Sequence, residues 1–227
     1  MQLLLPVILV IGLIYGPGWW VRRVMSRYSS PADRYAGSGG ELARHLLDSN
    51  GLSHVKVEET TEGDHYDPQE KVVRLTPEKL NGRSLTAVTV AAHEVGHALQ
   101  DAAGYAPLKA RSRLIMLTRP MERMGAGVLM AAPLLGALTR APLVSLLMVL
   151  GGLLSLGTTT LVHLLTLPTE LDASFKRALP LLERGSILKP VDLPHARRLL
   201  KAAALTYLSA SLASLLNIGR WWALLRR

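Results

Sequence analysis

The chain has 227 residues, a formal net charge of +9, no cysteine, 49% hydrophobic residues and a mean hydropathy of +0.24. The lack of cysteine excludes disulfides, Cys-ligated zinc, iron–sulfur clusters and thiol nucleophiles, so metal binding and catalysis fall to His, carboxylate and hydroxyl groups. Charged residues make up only 19% and aromatic residues 5% of the chain, which is unusual for a plain soluble domain.

The chain opens with an uncharged apolar run at 3–21, which ends at Trp19 and Trp20 and is followed by Arg22 and Arg23. About 19 apolar residues can cross a bilayer as a helix, and tryptophan is typical of the membrane interface. Basic residues precede the apolar core of a cleaved signal peptide, whereas here they follow it. The pattern therefore predicts a retained transmembrane anchor.

Three further apolar runs occupy 124–139, 143–167 and 202–218. The first two predict a transmembrane hairpin, because they are separated by a short loop. The last run predicts an apolar helix that either crosses the bilayer or lies in its interface. Together with the first anchor, these runs predict a mainly α, integral membrane protein with about four transmembrane helices.

The distribution of charged residues along the chain agrees with these apolar runs. Between residues 41 and 104, eleven acidic side chains stand against six basic ones, so this polar region is acidic in a basic protein. The basic surplus flanks the apolar runs instead, mainly at 22–34, 109–123 and 176–201. This pattern favours a lipid bilayer as partner, places the polar region on the cytoplasmic side, and argues against nucleic-acid binding.

The polar region also has a predicted internal structure. A short helix, two strands and a longer helix are expected at 40–50, 54–58, 71–75 and 84–103. Residues 61–69 contain glycine, proline and aspartate, which are typical of a turn. Ser84 suits the N-cap of the last helix, and Gly104 suits the position after its end. These elements predict a small α+β zincin-like domain.

The predicted organisation thus has five parts. They are an N-terminal anchor at 1–21, a zincin-like domain at 22–123, a transmembrane hairpin at 124–167, a cytoplasmic helical segment with the third metal ligand at 168–201, and a C-terminal apolar helix with a basic tail at 202–227. The chain shows no internal repeat.

The helix predicted at 84–103 carries the sequence His93-Glu94-Val95-Gly96-His97. Residues four apart share a helix face, so both imidazoles can bind one metal ion. Glu94 lies one position further round, where it can accept a proton from an attacking water. His93 and His97 are therefore predicted to bind one zinc ion per chain, with Glu94 as catalytic base. Two ordinary surface histidines are the alternative, and the interposed glutamate argues against it.

Catalytic zinc needs a third protein ligand. Besides the carboxylates, the candidates are His45, His54, His65, His163 and His195. Glu170 is the strongest candidate, because a carboxylate beside an apolar run requires a specific role. Pro168 also suits the first turn of a helix that would present it.

Other polar residues are candidates for substrate contacts. His163 lies seven residues before Glu170, too far along a helix to share one zinc, so it is interpreted as an interfacial histidine or as a substrate contact. Tyr66 or His65 could donate a hydrogen bond to a developing oxyanion. Asp64 and its neighbours are equally typical of a turn, and both interpretations stay open.

Four segments together resemble the YugP-type neutral zinc metallopeptidases, a family of bacterial membrane proteins. They are HEVGHALQ at 93–100, DHYDP at 64–68, GYAPL at 104–108 and LPTELDAS at 167–174. The resemblance covers nearly the whole chain. This family is similar to the gluzincins, in which a Glu on a later helix completes the site, so the resemblance implies Glu170 as third ligand. It also implies the bacterial inner (cytoplasmic) membrane as location.

The chain also resembles the membrane zinc proteases of the HtpX and CAAX-processing type, in which an aspartate follows the Glu ligand four residues later. This sequence has Ser174 at that position. A hydroxyl can orient a histidine ligand, although it cannot supply the carboxylate that commonly fixes a histidine tautomer. Ser174 is therefore a candidate for orienting His93 or His97 or for contacting the substrate.

The predicted function is a membrane-embedded zinc endopeptidase that hydrolyses peptide bonds of membrane or juxtamembrane proteins. An extended substrate is expected to add to an exposed edge strand near 71–75. One alternative is a non-catalytic membrane scaffold with a structural zinc, which would not require Glu94. Another is the processing of prenylated proteins or peptide pheromones, which needs a lipid-sized chamber. No oligomeric state follows from the sequence.

Overall fold

A computed structural model of the chain describes residues 4–184 and 187–214. Its α-helices are α1 (Leu4–Tyr28), α2 (Gly39–Ser49), α3 (Pro77–Leu80), α4 (Leu85–Ala102), α5 (Ala106–Thr139), α6 (Pro142–Leu171), α7 (Leu179–Arg184), α8 (Leu193–Ala204) and α9 (Thr206–Ser214). Its strands are β1 (Lys56–Glu59), β2 (His65–Asp67) and β3 (Val72–Leu75), and a π-helix (Asp172–Ala178) and a 3₁₀-helix (Pro190–Asp192) complete it. The basic tail predicted up to residue 227 lies outside the described residues.

The described part of the chain is mainly helical and has one small three-stranded sheet. Among the described residues, no helix has both the length and the apolar character that crossing a membrane requires. The prediction of an integral membrane protein with about four transmembrane helices is therefore wrong. That prediction relied on the length of the apolar runs, whereas the helices that contain them continue into charged residues, at Arg22, Arg23 and Arg27 of α1 and at five basic residues within 109–123 of α5.

The described residues divide into two compact units. The first contains residues 4–18, 110–166 and 207–214, and the second contains 19–109 and 167–206 apart from 185–186. In the first unit, α5 and α6 approach closely at Gly125, where an added Cβ would lie 2.6 Å from Cβ of Ser155.

The sheet belongs to the second unit and has the strand order β1-β3-β2. β3 is the central strand, because β1 pairs with it in parallel and β2 pairs with it antiparallel. The prediction of an exposed edge strand near 71–75 is therefore wrong. The predicted turn at 61–69 also contains β2, whose three residues are too few to show strand alternation in the sequence.

Helix α4 lies in the centre of the second unit. It packs against α2, β2 and β3 and also against the π-helix and α8, so nearly every residue from Leu85 to Ala98 is buried. The hydroxyl of Ser84 accepts a hydrogen bond from the backbone N–H of Ala87, which caps the helix as predicted. Gly104 follows the end of the helix with a φ of +65°, a conformation that favours glycine.

Candidate metal centre

Three predicted ligands meet inside the second unit. His93 and His97 lie on α4, Glu170 lies one residue before the end of α6, and their exposed fractions are only 2%, 3% and 3%. One ligand atom from each lies within 4.8 Å of the others. Glu170 Oε2 is 3.1 Å from Nε2 of His97 and 3.4 Å from Nε2 of His93. Tetrahedral zinc with bonds of about 2.0–2.1 Å has ligand atoms about 3.3 Å apart, so these distances fit.

Ser174 determines which nitrogen of His93 carries a proton. Its Oγ lies 3.1 Å from the carbonyl oxygen of Leu200 and 3.0 Å from Nδ1 of His93. The carbonyl can only accept, so the one hydroxyl proton goes to Leu200 and Oγ accepts from His93. Nδ1 of His93 is therefore the protonated nitrogen, and in the neutral ring Nε2 keeps its lone pair toward Glu170.

Gln100 determines which nitrogen of His97 carries a proton, as Ser174 does for His93. Its Oε1 lies 2.9 Å from Nδ1 of His97, while its Nε2 donates to the carbonyl oxygen of Thr169 and to Oδ2 of Asp172. An amide oxygen can only accept, so Nδ1 of His97 must donate. In the neutral ring, Nε2 of His97 then carries a lone pair directed toward Glu170.

The arrangement fits a metal cation. Two imidazole lone pairs and a carboxylate oxygen about 3 Å apart repel one another unless a positive charge lies among them. Two histidines and one glutamate are also a donor set of catalytic zinc. Within the described ranges, no other group of three His, Asp or Glu side chains is placed to hold a metal ion.

Glu94 is the fourth predicted site residue. It lies on α4 directly after His93, and its exposed fraction is 5%. Consecutive residues are about 100° apart round an α-helix, so Glu94 is adjacent to the two histidines without sharing their face. This is the position that a base beside a metal site requires.

A close helix contact places Glu170 opposite the histidines. The π-helix begins directly after α6, and an added Cβ at Gly96 would lie 2.5 Å from the carbonyl oxygen of Ala173. Only glycine allows the two backbones to approach this closely. Gly96 thus has a steric role in the site, and π-helices are frequent at functional sites.

The other predicted site residues have contacts elsewhere. Asp64 accepts hydrogen bonds from the backbone and hydroxyl of Thr76, and Nδ1 of His65 lies 2.8 Å from the carbonyl oxygen of Gly63. The hydroxyl of Tyr66 donates to Asp101, and burial, followed by this hydrogen bond, raises the pKa of Tyr66. None of these contacts joins the histidine–glutamate cluster, which agrees better with the turn interpretation of Asp64 and His65.

Three further histidines are also accounted for. His163 belongs to the first unit and stacks on Tyr207 with ring centroids 5.9 Å apart. His195 stacks on Tyr28, and its Nδ1 lies 3.0 Å from the hydroxyl of that tyrosine. His45 is an exposed residue of α2. The histidine–glutamate cluster therefore contains none of these alternatives to Glu170.

Two polar residues beside this site, Gln100 and Asp172, were not predicted from the sequence. Asp172 accepts hydrogen bonds from Gln100 and from Nε of Arg177. Burial would raise the pKa of Asp172, but these two hydrogen bonds outweigh it and keep the pKa below its usual value. Gln100 is seven residues after His93, on the ligand face of α4, and an amide on that face is a signal the sequence contained.

This fold and site define a metallopeptidase of the H-E-x-x-H class. The model of the family described as "Putative neutral zinc metallopeptidase" matches residues 3–226, and the chain belongs to this family. It is 35% identical over 216 residues to the "Putative membrane protease YugP" of Bacillus subtilis (strain 168), covering 94% of this chain and 92% of the relative. No solved structure is significantly similar to the chain. The family resemblance and the enzyme class predicted from the sequence are confirmed.

Proposed function

We propose that the chain is a zinc endopeptidase in which His93, His97 and Glu170 hold one zinc ion and Glu94 is the catalytic base. The convergence of two oriented imidazole nitrogens on Oε2 of Glu170 carries this proposal. Bound zinc would supply a Lewis acid that lowers the pKa of a coordinated water and polarises the scissile carbonyl.

Glu94 transfers the proton in this proposal. Its carboxylate accepts a proton from the attacking water and delivers it to the nitrogen of the leaving amine, so one water is added across the C–N bond. The 5% exposed fraction of Glu94 keeps it away from bulk solvent. A low local dielectric strengthens its interaction with the charges that develop during the reaction.

The number of ligands supports catalysis over a structural role for the metal. Structural zinc sites are closed by four protein ligands, whereas catalytic sites have three and an open position. The described residues supply three ligands, His93, His97 and Glu170. A scaffold protein with structural zinc is therefore the weaker alternative.

We further propose that the substrates are membrane or juxtamembrane proteins at the cytoplasmic face of the bacterial inner membrane. The relative in Bacillus subtilis is named a membrane protease. The first unit exposes large apolar side chains, among them Leu9 (64%), Leu138 (71%) and Leu154 (75%). Contact with a bilayer surface would bury such side chains, and the anionic cytoplasmic leaflet attracts the basic residues that flank the apolar runs.

Replacement of Glu94 tests the proposal. Glu94→Gln should retain about one zinc per chain and lose nearly all activity against an unfolded protein such as casein, because an amide cannot accept the proton. Glu62→Gln is the matched control, since Glu62 is exposed. Full turnover by the Glu94 variant would remove Glu94 from the mechanism, and wild-type protein without zinc would refute the metal site.

A further inference from the structure

We infer that Gln100 is a positioning residue that fixes His97 in its metal-binding tautomer and, with the same amide, holds the backbone next to Glu170. The inference rests on the proposed function, because it assumes that His97 and Glu170 bind the metal. Gln100 itself was not predicted from the sequence to be a site residue.

The orientation of the Gln100 amide is determined by its neighbours. Nε2 lies 2.8 Å from the carbonyl oxygen of Thr169 and 2.8 Å from Oδ2 of Asp172. A carbonyl and an ionised carboxylate can only accept, so a flipped amide would place its oxygen against two acceptors. Since Gln100 is 0% exposed, water cannot relieve such contacts. Oε1 must therefore face His97.

Asp172 is itself held in place by Arg177. The Nε of Arg177 donates to Oδ2 of Asp172 at 3.0 Å, and Nη1 donates to the carbonyl oxygen of Leu99 at 3.0 Å. The guanidinium also lies over the ring of Tyr105, 5.6 Å from its centroid. A continuous series of hydrogen bonds thus runs from Arg177 through Asp172 and Gln100 to Nδ1 of His97.

One buried side chain therefore acts on two of the three ligands. Gln100 lies three residues after His97 on α4, and it bonds to the carbonyl of Thr169, the residue before Glu170. It links the helix that carries the histidines to the end of the helix that carries the glutamate. Ser174, in contrast, contacts only His93 among the ligands. Loss of Gln100 should consequently affect the site more than loss of Ser174.

The first test replaces the amide by an apolar side chain of similar length. Gln100→Met should weaken zinc binding about 10- to 100-fold, the usual effect of removing a hydrogen-bond partner of a metal ligand, when measured by competition with a chelator. Nitrogen-15 NMR of zinc-free protein should show His97 protonated at Nδ1 in the wild type and as a tautomer mixture in the variant. Lys176→Met is the control, because Lys176 is 79% exposed beside Asp172.

A second pair of variants separates positioning from general stability. Gln100→Glu places a carboxylate against Thr169 and Asp172, so zinc binding should weaken. Adding Asp172→Asn supplies an amide donor for that carboxylate and should recover at least part of the affinity. A purely structural defect would not be recovered in this way, and this pair decides the question if Gln100→Met does not fold.

Wild-type zinc affinity and an unchanged His97 tautomer in Gln100→Met would overturn the inference. So would a double variant that binds zinc no better than Gln100→Glu. A wild-type protein that binds no zinc would instead refute the proposed function. The tautomer of His97 in zinc-free protein would still test the role of Gln100 separately.

Discussion

The hydroxyl of Ser174 accepts a hydrogen bond from Nδ1 of His93 and donates its own proton to the carbonyl oxygen of Leu200. A serine thus selects the histidine tautomer at a position where a carboxylate is a common support of a metal-binding histidine. Because the hydroxyl is neutral, the support of His93 adds no negative charge to the site.

Ser174→Ala should therefore weaken zinc binding by about tenfold, because His93 loses the group that fixes its tautomer. Ser174→Asp should lower the free energy of unfolding by about 2 kcal/mol, since a buried carboxylate would face the Leu200 carbonyl. Chelator competition and urea unfolding measure the two effects, with the exposed Ser49→Ala as control. Equal zinc affinity in Ser174→Ala and wild type would contradict this role.

The ligand assignment makes a prediction about metal content. Wild-type protein should contain about one zinc per chain, and His93→Ala, His97→Ala and Glu170→Ala should each lose stoichiometric zinc, because two ligands remain. His45→Ala should keep its zinc, since His45 is exposed on α2. Elemental analysis measures all five proteins. Full occupancy in Glu170→Ala would mean that the third ligand is another residue.

Gly96→Ala should disturb the metal site by steric conflict alone. The new methyl would lie 2.5 Å from the carbonyl oxygen of Ala173, and overpacking of this kind costs about 1–3 kcal/mol of unfolding free energy. Zinc affinity should fall as well, because the displaced backbone at Ala173 is only three residues after Glu170 in the chain. An added Cβ at Gly157 would meet no atom within 4 Å. Gly157→Ala should therefore leave the free energy of unfolding unchanged or raise it slightly. A Gly96 variant with wild-type stability and affinity would show that the close approach is dispensable.

A buried carboxylate outside the metal centre, that of Asp192, predicts a pH dependence of stability. Asp192 is 1% exposed and accepts hydrogen bonds from Arg34 and Tyr35. The hydrogen bond from Arg34 is the main reason why the pKa of Asp192 is lowered. Its stabilising contribution is therefore fully present above the unfolded pKa of about 3.9 and is lost as the pH falls through the lower folded pKa.

Asp192→Asn should accordingly lower the free energy of unfolding by about 2 kcal/mol at neutral pH, a reduced value because Arg34 is partly exposed. The difference in unfolding free energy between the variant and the wild type should shrink as the pH falls below about 4. Urea unfolding at several pH values would show this. The exposed Asp33→Asn is the control. A difference that stays constant with pH would mean that the ionisation of Asp192 does not contribute.

The histidine–glutamate cluster was predictable in large part because two histidines that bind one metal ion from a helix need a fixed spacing along the chain. His93 and His97 share a helix face at any location in a protein, and Glu170 stood out as a carboxylate next to an apolar run. Gln100 was harder to recognise, because its role depends on Thr169 and Asp172, which are some 70 positions away in the chain. Hydrogen-bond partners from distant segments leave no periodic signal in a sequence.

The fold was predicted in part for similar reasons. Helix α4 begins and ends close to the residues that its capping signals indicated. The turn formers around β2, among them Gly63, Asp64 and Pro68, predict a turn, and pairing of β2 with β3 overrides that local preference. The transmembrane helices were predicted from the length of apolar runs such as 124–139. No described helix that contains such a run is both long and apolar enough to cross a membrane.

The winding of the chain after Glu170, and not only its chemistry, determines where the glutamate lies relative to the histidines. Each turn of the π-helix contains about one residue more than a turn of α-helix, so each of its seven residues turns the chain by about 20° less. The π-helix joins the buried Glu170 to Leu182, which is fully buried in the core. If the same seven residues wound as an ordinary α-helix, Glu170 would rotate by more than about 100° relative to Leu182. A change of winding in a segment that supplies no ligand would thus turn the glutamate away from the histidines.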